Sequence, residues 1–302
     1  MMEWVAGMLK DIDWNGIHIS VPSTWELGRI DTRYLFFDTH VGPAMEIKWG
    51  PVKGRFSHRS HLKKLVAQQK HHPGRSLEEW HLPSVWENAL SNFIAKGFSW
   101  HSGAENGRGA ILYCPVCKTA LMFQIFNIAG HMTDKAILDM LKSLQDHRDD
   151  GQTAWTVFDI HALLPRTFQL DTFQFKPGIY ELAFSDRFQT VKLFRWAPAS
   201  AFLSQANLSR FTANALEFNH EKLVTTSFFK HPAVEWRSNT MAGWHTWLYR
   251  FKRKPSFHWL RVWHVVEKNR ILGIRLDGKK PFDRDMVADI CINYGAKSNT
   301  NR

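Results

Sequence analysis

"GIHISVPSTWEL" (residues 16–27) and "DIHALLPRTFQL" (residues 159–170) write one unusual phrase twice. The alignment pairs Ile17 with Ile160, His18 with His161, Pro22 with Pro165, Thr24 with Thr167 and Leu27 with Leu170, with Trp25 facing Phe168. The match then continues in register. "YLFFD" (34–38) corresponds to "YELAFSD" (180–186), and "MEIKWGP" (45–51) to "VKLFRWAP" (191–198), so that Trp49 and Pro51 stand opposite Trp196 and Pro198. These runs alternate apolar and polar residues, the period of a half-buried strand.

Beyond the Trp-x-Pro turns, "RSHLKKLVAQQ" (59–69) and "FLSQANLSRFTANALEF" (202–218) space their apolar residues by three and four, which predicts a helix in each copy. "FSWHSGAENG" and "VEWRSNTMAG" then pair as hairpins, as do "ILYCPVCKTALMF" (111–123) and "RVWHVVEKNRILG" (261–273). Both copies close on a helical pattern, "TDKAILDMLKSLQDH" (133–147) and "FDRDMVADICINYG" (282–295), each with capping residues at its start. The polar, glycine-containing "DHRDDGQTAW" (146–155) separates them, which sets two domains, 1–150 and 151–302. The expected fold class is therefore α+β. It is a tandem duplication of an antiparallel-sheet-plus-two-helix domain, forming an intramolecular pseudo-dimer. Two stretches are unshared, an insertion at 70–97 and a longer hairpin at 244–259, and these are where the copies can differ in function.

A chain of 302 residues, 44% hydrophobic and 14% aromatic, has enough apolar surface for two cores and is far from a disordered composition. Its longest apolar runs, such as "TALMFQIF", have strand length and fall well short of the roughly 20 residues of a membrane helix. The opening "MMEWVAGMLKDIDW" lacks the layout of a secretory signal, and three cysteines are too few for a disulfide framework; both point to the cytoplasm. A net charge of +11 favours anionic partners, nucleic acid above all.

Two basic stretches are candidate nucleic-acid contacts. At the start of the first helix, Arg55, His58, Arg59, His61, Lys63 and Lys64 gather cations where the helix dipole already attracts anions. In "WHTWLYRFKRKPSFHWLRVWH" (244–264), Arg250, Lys252, Arg253, Lys254 and Arg261 alternate with aromatic residues, a mixture that neutralises phosphates and stacks bases. The plain alternatives are a solvated helix face and an amphipathic hairpin whose aromatic face is core. His18 and His161, at equivalent places, read as architectural strand histidines more readily than as a catalytic pair.

Cys114-Pro115-Val116-Cys117 is half of a zinc site if its turn is tight. No second C-x-x-C completes it. The duplication supplies one candidate completion, His264 and Glu267 at the aligned positions, and reduced, inert thiols are the alternative. The chain has no phosphate-loop, Rossmann, G-x-S-x-G or H-E-x-x-H motif. What remains is a non-catalytic binding protein with a basic surface contacting RNA or DNA. The rival readings are an assembly subunit docking a protein partner through Trp-rich sheet edges, and a metal-independent nuclease; the sequence leaves enzymatic activity open.

Overall fold

Asn15 and Gly16 both adopt positive φ, 47° and 92°, and so make the tight turn that joins β1 (Leu9–Trp14) to β2 (Ile17–Pro22). The computed structural model describes residues 8–69, 74–126, 133–238 and 257–296, and the chain divides into two compact units, Met1–Phe158 and Asp159–Arg302.

In the first unit, β2 is followed by β3 (Glu26–Asp31), β4 (Tyr34–Thr39) and β5 (Gly42–Pro51). Then come α1 (His58–Gln69), β6 (Arg75–Trp80), α2 (Ser84–Ala89), β7 (Ile94–Ser102), β8 (Glu105–Tyr113), β9 (Thr119–Phe126), α3 (Asp134–Ser143) and β10 (Gln152–Val157). Seven of these strands form one antiparallel sheet in the order β3-β4-β5-β9-β8-β7-β6, while β1 pairs with both β2 and β10. Alternation along the strands buries Leu35, Phe37, Ile47 and Phe123. Trp14 is fully enclosed, edge-on to Trp155 at 5.3 Å.

The second unit runs β11 (Ile160–Pro165), β12 (Gln169–Lys176), β13 (Ile179–Ser185), β14 (Gln189–Trp196), α4 (Ala199–Phe202), α5 (Leu208–Ala215), β15 (Val224–Phe228) and β16 (His231–Arg237). It continues with β17 (Phe257–Val265), β18 (Arg270–Gly278), α6 (Arg284–Ile292) and β19 (Gly295–Ala296). Its seven-stranded sheet has the order β12-β13-β14-β18-β17-β16-β15, the same path through the sheet as in the first unit.

The repeated phrase performs the same local task in both places. Trp25 N–H donates to Pro22 C=O at 3.0 Å, and Phe168 N–H donates to Pro165 C=O at 3.0 Å, so each proline opens a four-residue turn that drops an aromatic side chain into the interior. The ladder then slips between Leu27 and Arg29 in β3, and between Leu170 and Thr172 in β12. The irregularity follows the proline instead of sitting on it.

The α+β expectation is overturned. Strand makes up 51% of the structure and helix 21%, in three sheets, which does not fit a duplicated domain of one sheet plus two helices. Two local causes account for it. "RSLEEW", inside the supposed unshared insertion, pairs with β7 as the edge strand β6. The single helix expected over 202–218 breaks into α4 and α5, because the Asn207 side chain accepts from Arg210 N–H at 2.9 Å and starts a new helix. Each unit carries three α-helices among the described residues. None of them is long and apolar enough to cross a membrane.

Candidate anion cleft and thiol cluster

Helix α1 is positioned by its approach. Pro51 ends β5, Gly54 turns the chain at φ 86°, and the Ser57 hydroxyl accepts from Ser60 N–H at 3.3 Å as a cap. The helix then sets Leu62 onto Phe98 and Ile111 of the sheet, with Leu65 and Phe56 alongside. This leaves a cleft of about 540 Å³ between α1 and strands β5 and β9, lined by Lys48, Trp49, Lys53, Arg55, His61 and Lys64. Arg59 and Lys63 project along the opposite flank of α1, beside Glu79. Five of the six residues expected at the helix start thus divide between two sides, and His58 lines neither.

Charge in the cleft is unbalanced. Lys48 is bound at 2.9 Å by the buried Glu46, which also accepts from Gln124 at 2.9 Å and from the Tyr34 hydroxyl at 3.0 Å. Burial, reinforced by Glu46, pushes the Tyr34 phenol up to about 12. Lys53, Arg55 and Lys64 are exposed, and none has a carboxylate within ion-pair distance among the described residues. The first turn of α1 contains no acidic residue, so no carboxylate of that turn offsets the positive end of the helix dipole.

The two helix-start histidines are structural props. Phe56 stacks on Tyr113 at 4.6 Å and is flanked by His58 and His61, both at 4.7 Å. His58 Nε2 bonds the Ile94 carbonyl at 2.8 Å, and His61 Nδ1 the Ser57 carbonyl at 3.0 Å. Burial holds His58 below the usual histidine range, against the pull of its carbonyl partner.

Of the five cations in the second basic stretch, Arg261 is the one that lies among the described residues. Arg250, Lys252, Arg253 and Lys254 lie outside the described residues, as does the "KHHP" cluster at 70–73. Arg261 is committed: its guanidinium donates to Glu235 at 2.6 and 3.1 Å and covers the Phe228 and Trp259 rings at 4.7 and 5.1 Å. Trp259 and Trp263 belong to the interior strand β17 and are buried, so these tryptophans are core and not edge.

Cys114 and Cys117 bracket the β8–β9 turn, which closes with Cys114 N–H donating to Thr119 C=O at 2.9 Å and Lys118 in the left-handed region at φ 57°. Within the first unit, two further potential ligands stand beside them. His264 and Glu267 lie in the second unit, where Glu267 faces His231 at 3.6 Å. The group of potential ligands that gathers is Cys114, Cys117, Asp146 and His147, with one ligand atom of each within 4.8 Å of all the others. Asp146 and His147 are brought there by a bridge in which His18 and Gln145 exchange backbone hydrogen bonds at 2.9 and 3.0 Å. Gly16 lies against this strip, where its φ of 92° and not a lack of space favours glycine, since a Cβ would make ordinary contact with the Asp146 carbonyl at 3.6 Å. Cys117 Sγ donates to Asp146 Oδ2 at 2.7 Å, and burial together with that carboxylate pushes its thiol up to about 12. Asp146 and His147 were hidden in sequence because "QDHRDD" has the composition of a linker; the clue is a Asp-His pair directly after an amphipathic helix.

No family model and no curated protein matches the chain. Among solved structures it is similar to a crystal structure from Bacteroides thetaiotaomicron VPI-5482, at 11% identity and a TM-score of 0.29, covering 53% of this chain and 54% of that one. It is also similar to MucB in complex with MucA(peri), at 8% identity and a TM-score of 0.20, covering 93% of this chain and 82% of that one. The chain spans about half the length of the first of these structures. Neither likeness transfers a fold or a function.

Proposed function

We propose that the protein is a non-catalytic binding protein that takes the phosphate backbone of RNA or DNA in the cleft between α1 and strands β5 and β9. The observation that carries this reading is the trio Lys53, Arg55 and Lys64, exposed around one concavity without carboxylate partners among the described residues. Several other cations are neutralised by the protein itself, as in Lys192–Glu181, Arg148–Asp150 and Arg275–Asp277. Unpaired cations beside a helix N-terminus with no acidic residue in its first turn repel one another, and an anion relieves that repulsion. His58 and His61 each commit a ring nitrogen to a backbone carbonyl, which favours positioning over proton transfer.

The test is equilibrium binding of labelled single- and double-stranded RNA and DNA to the full chain across a salt series. Affinity is expected to fall steeply with salt. Replacing Lys53, Arg55 and Lys64 by Gln lowers the slope of log affinity against log salt by about 2 to 3, the loss of three phosphate contacts. Absence of binding to every polymer at low salt overturns the proposal. Cleavage of the bound polymer would move the protein to the nuclease class.

A further inference from the structure

We infer that Cys114, Cys117, Asp146 and His147 bind one Zn²⁺ ion in a closed structural site that clasps the β8–β9 turn to the segment following α3. This rests on observations separate from the basic cleft.

The geometry fits without rearrangement of the backbone. Ligands about 2.0 to 2.3 Å from a tetrahedral zinc stand roughly 3.3 to 3.8 Å from one another. The present contacts bracket that range, at 3.9 Å between Cys114 Sγ and His147 Nδ1 and 2.7 Å between Cys117 Sγ and Asp146 Oδ2. Small side-chain adjustments equalise them. Both halves of the site are already fixed by backbone hydrogen bonds: one is the closed hairpin turn, whose Lys118 carbonyl also accepts from Val52 N–H at 2.8 Å, and the other is the strip bridged to β2.

The donor set selects the metal. Two thiolates and an imidazole suit borderline-soft zinc and disfavour magnesium or calcium, which take oxygen ligands. Four protein ligands complete a tetrahedron and leave no open position for a reacting water, which makes the site structural. Cys114 is 1% exposed and Asp146 8% exposed, so acidic groups are concentrated in a sheltered place. Among the described residues, the ion-pair partner of Asp146 is His147, at 2.8 Å, and no Lys or Arg balances it. Zinc binding releases the two thiol protons to solvent and leaves His147 neutral. The three negative charges of the two thiolates and the carboxylate then face two positive charges on the metal. The ion closes a loop of 29 residues between Cys117 and Asp146, acting as a cross-link inside the first unit.

The experiment uses the reduced full-length chain, stripped with a chelator and titrated with Co²⁺ and then Zn²⁺. One Co²⁺ per chain is expected, with the visible bands of a tetrahedral site and a sulfur-to-cobalt charge-transfer band, both abolished by one equivalent of Zn²⁺. Cys114→Ser or Cys117→Ser is expected to reduce the charge-transfer intensity to about half. Asp146→Asn and His147→Gln weaken the metal tenfold or more, whereas His264→Ala and Glu267→Gln leave it unchanged. Failure of the reduced wild-type chain to take up stoichiometric metal overturns the inference, as does a weak octahedral cobalt spectrum. If the cysteine variants do not fold, zinc X-ray absorption on the wild type decides: two sulfur and two lighter neighbours support the site, and any other sulfur count overturns it.

Discussion

Glu235 is where the second unit concentrates its polar bonding: it accepts from Trp259 Nε1 at 3.0 Å and from the guanidinium groups of Arg237 and Arg261. Burial raises its carboxyl, but the hydrogen bonds from Arg261, Trp259 and Arg237 outweigh burial and hold it below the usual glutamate range. Because the folded value is depressed, the stabilisation is complete above the unfolded glutamate value and is lost as pH falls through the folded one. Glu235→Gln is expected to cost about 1 to 3 kcal/mol near neutral pH in urea unfolding, since it leaves two guanidinium groups short of a charged acceptor. The difference from wild type should shrink towards zero in acid; a constant difference would refute the carboxylate's role. At the same scale, Trp25 is fully buried and its indole N–H lacks a partner among the described residues, whereas its counterpart Phe168 has no such group to satisfy. Trp25→Phe is therefore expected to cost less than about 1 kcal/mol, the lost packing being offset by removal of a stranded donor. Trp25→Ala should cost about 3 to 5 kcal/mol. Urea midpoints of the two variants check the ordering.

Elements were legible where the pattern was local and long. The Pro-x-x-aromatic phrase is four residues of turn chemistry, and nearby alternation is a direct imprint of one-sided burial, so strands β2 to β5 and β11 to β14 could be read from sequence. The capped helix α3 was likewise visible, with Thr133 accepting from Ala136 N–H at 3.2 Å. The misread elements are those whose state is set by neighbours. Edge strand β6 is polar at Glu78 and Glu79 and acquires strand structure by pairing with β7. The stretch "FLSQANLSRF" has helical spacing throughout, yet one asparagine cap is enough to divide it, because local side-chain bonding competes with helix propagation. The α+β expectation missed strands such as β6 and took 202–218 as one helix, whereas strand makes up 51% of the structure, in three sheets.

At the scale of the whole molecule, charge sets the response to acid and salt. The sequence carries a net charge of +11 and 16 histidines, so lowering the pH through about 6 adds positive charge to a chain that already repels itself. His58 and His264 are both held below the usual 6.5 by burial, His264 also by neighbouring His231. Their folded values lie under the unfolded one, so stability from these groups is present above about 6.5 and is lost as pH falls below it. The melting temperature is expected to drop between pH 7 and pH 5, and added salt should recover part of the loss at pH 5 while changing little at pH 8. A melting temperature indifferent to pH across that range would rule out this balance.

The sequence by itself determined the repeated strand-turn-strand phrase, the sheet-forming alternation, the excess of positive charge and the paired thiols of Cys114 and Cys117, because each is written in neighbouring residues. Tertiary structure decided what those features face. It paired the thiols with Asp146 and His147, tied Arg261 to Glu235, and turned Lys53, Arg55 and Lys64 towards one cleft. These outcomes depend on strand register and on a single bridge between His18 and Gln145, contacts between residues far apart in the chain that no local pattern encodes.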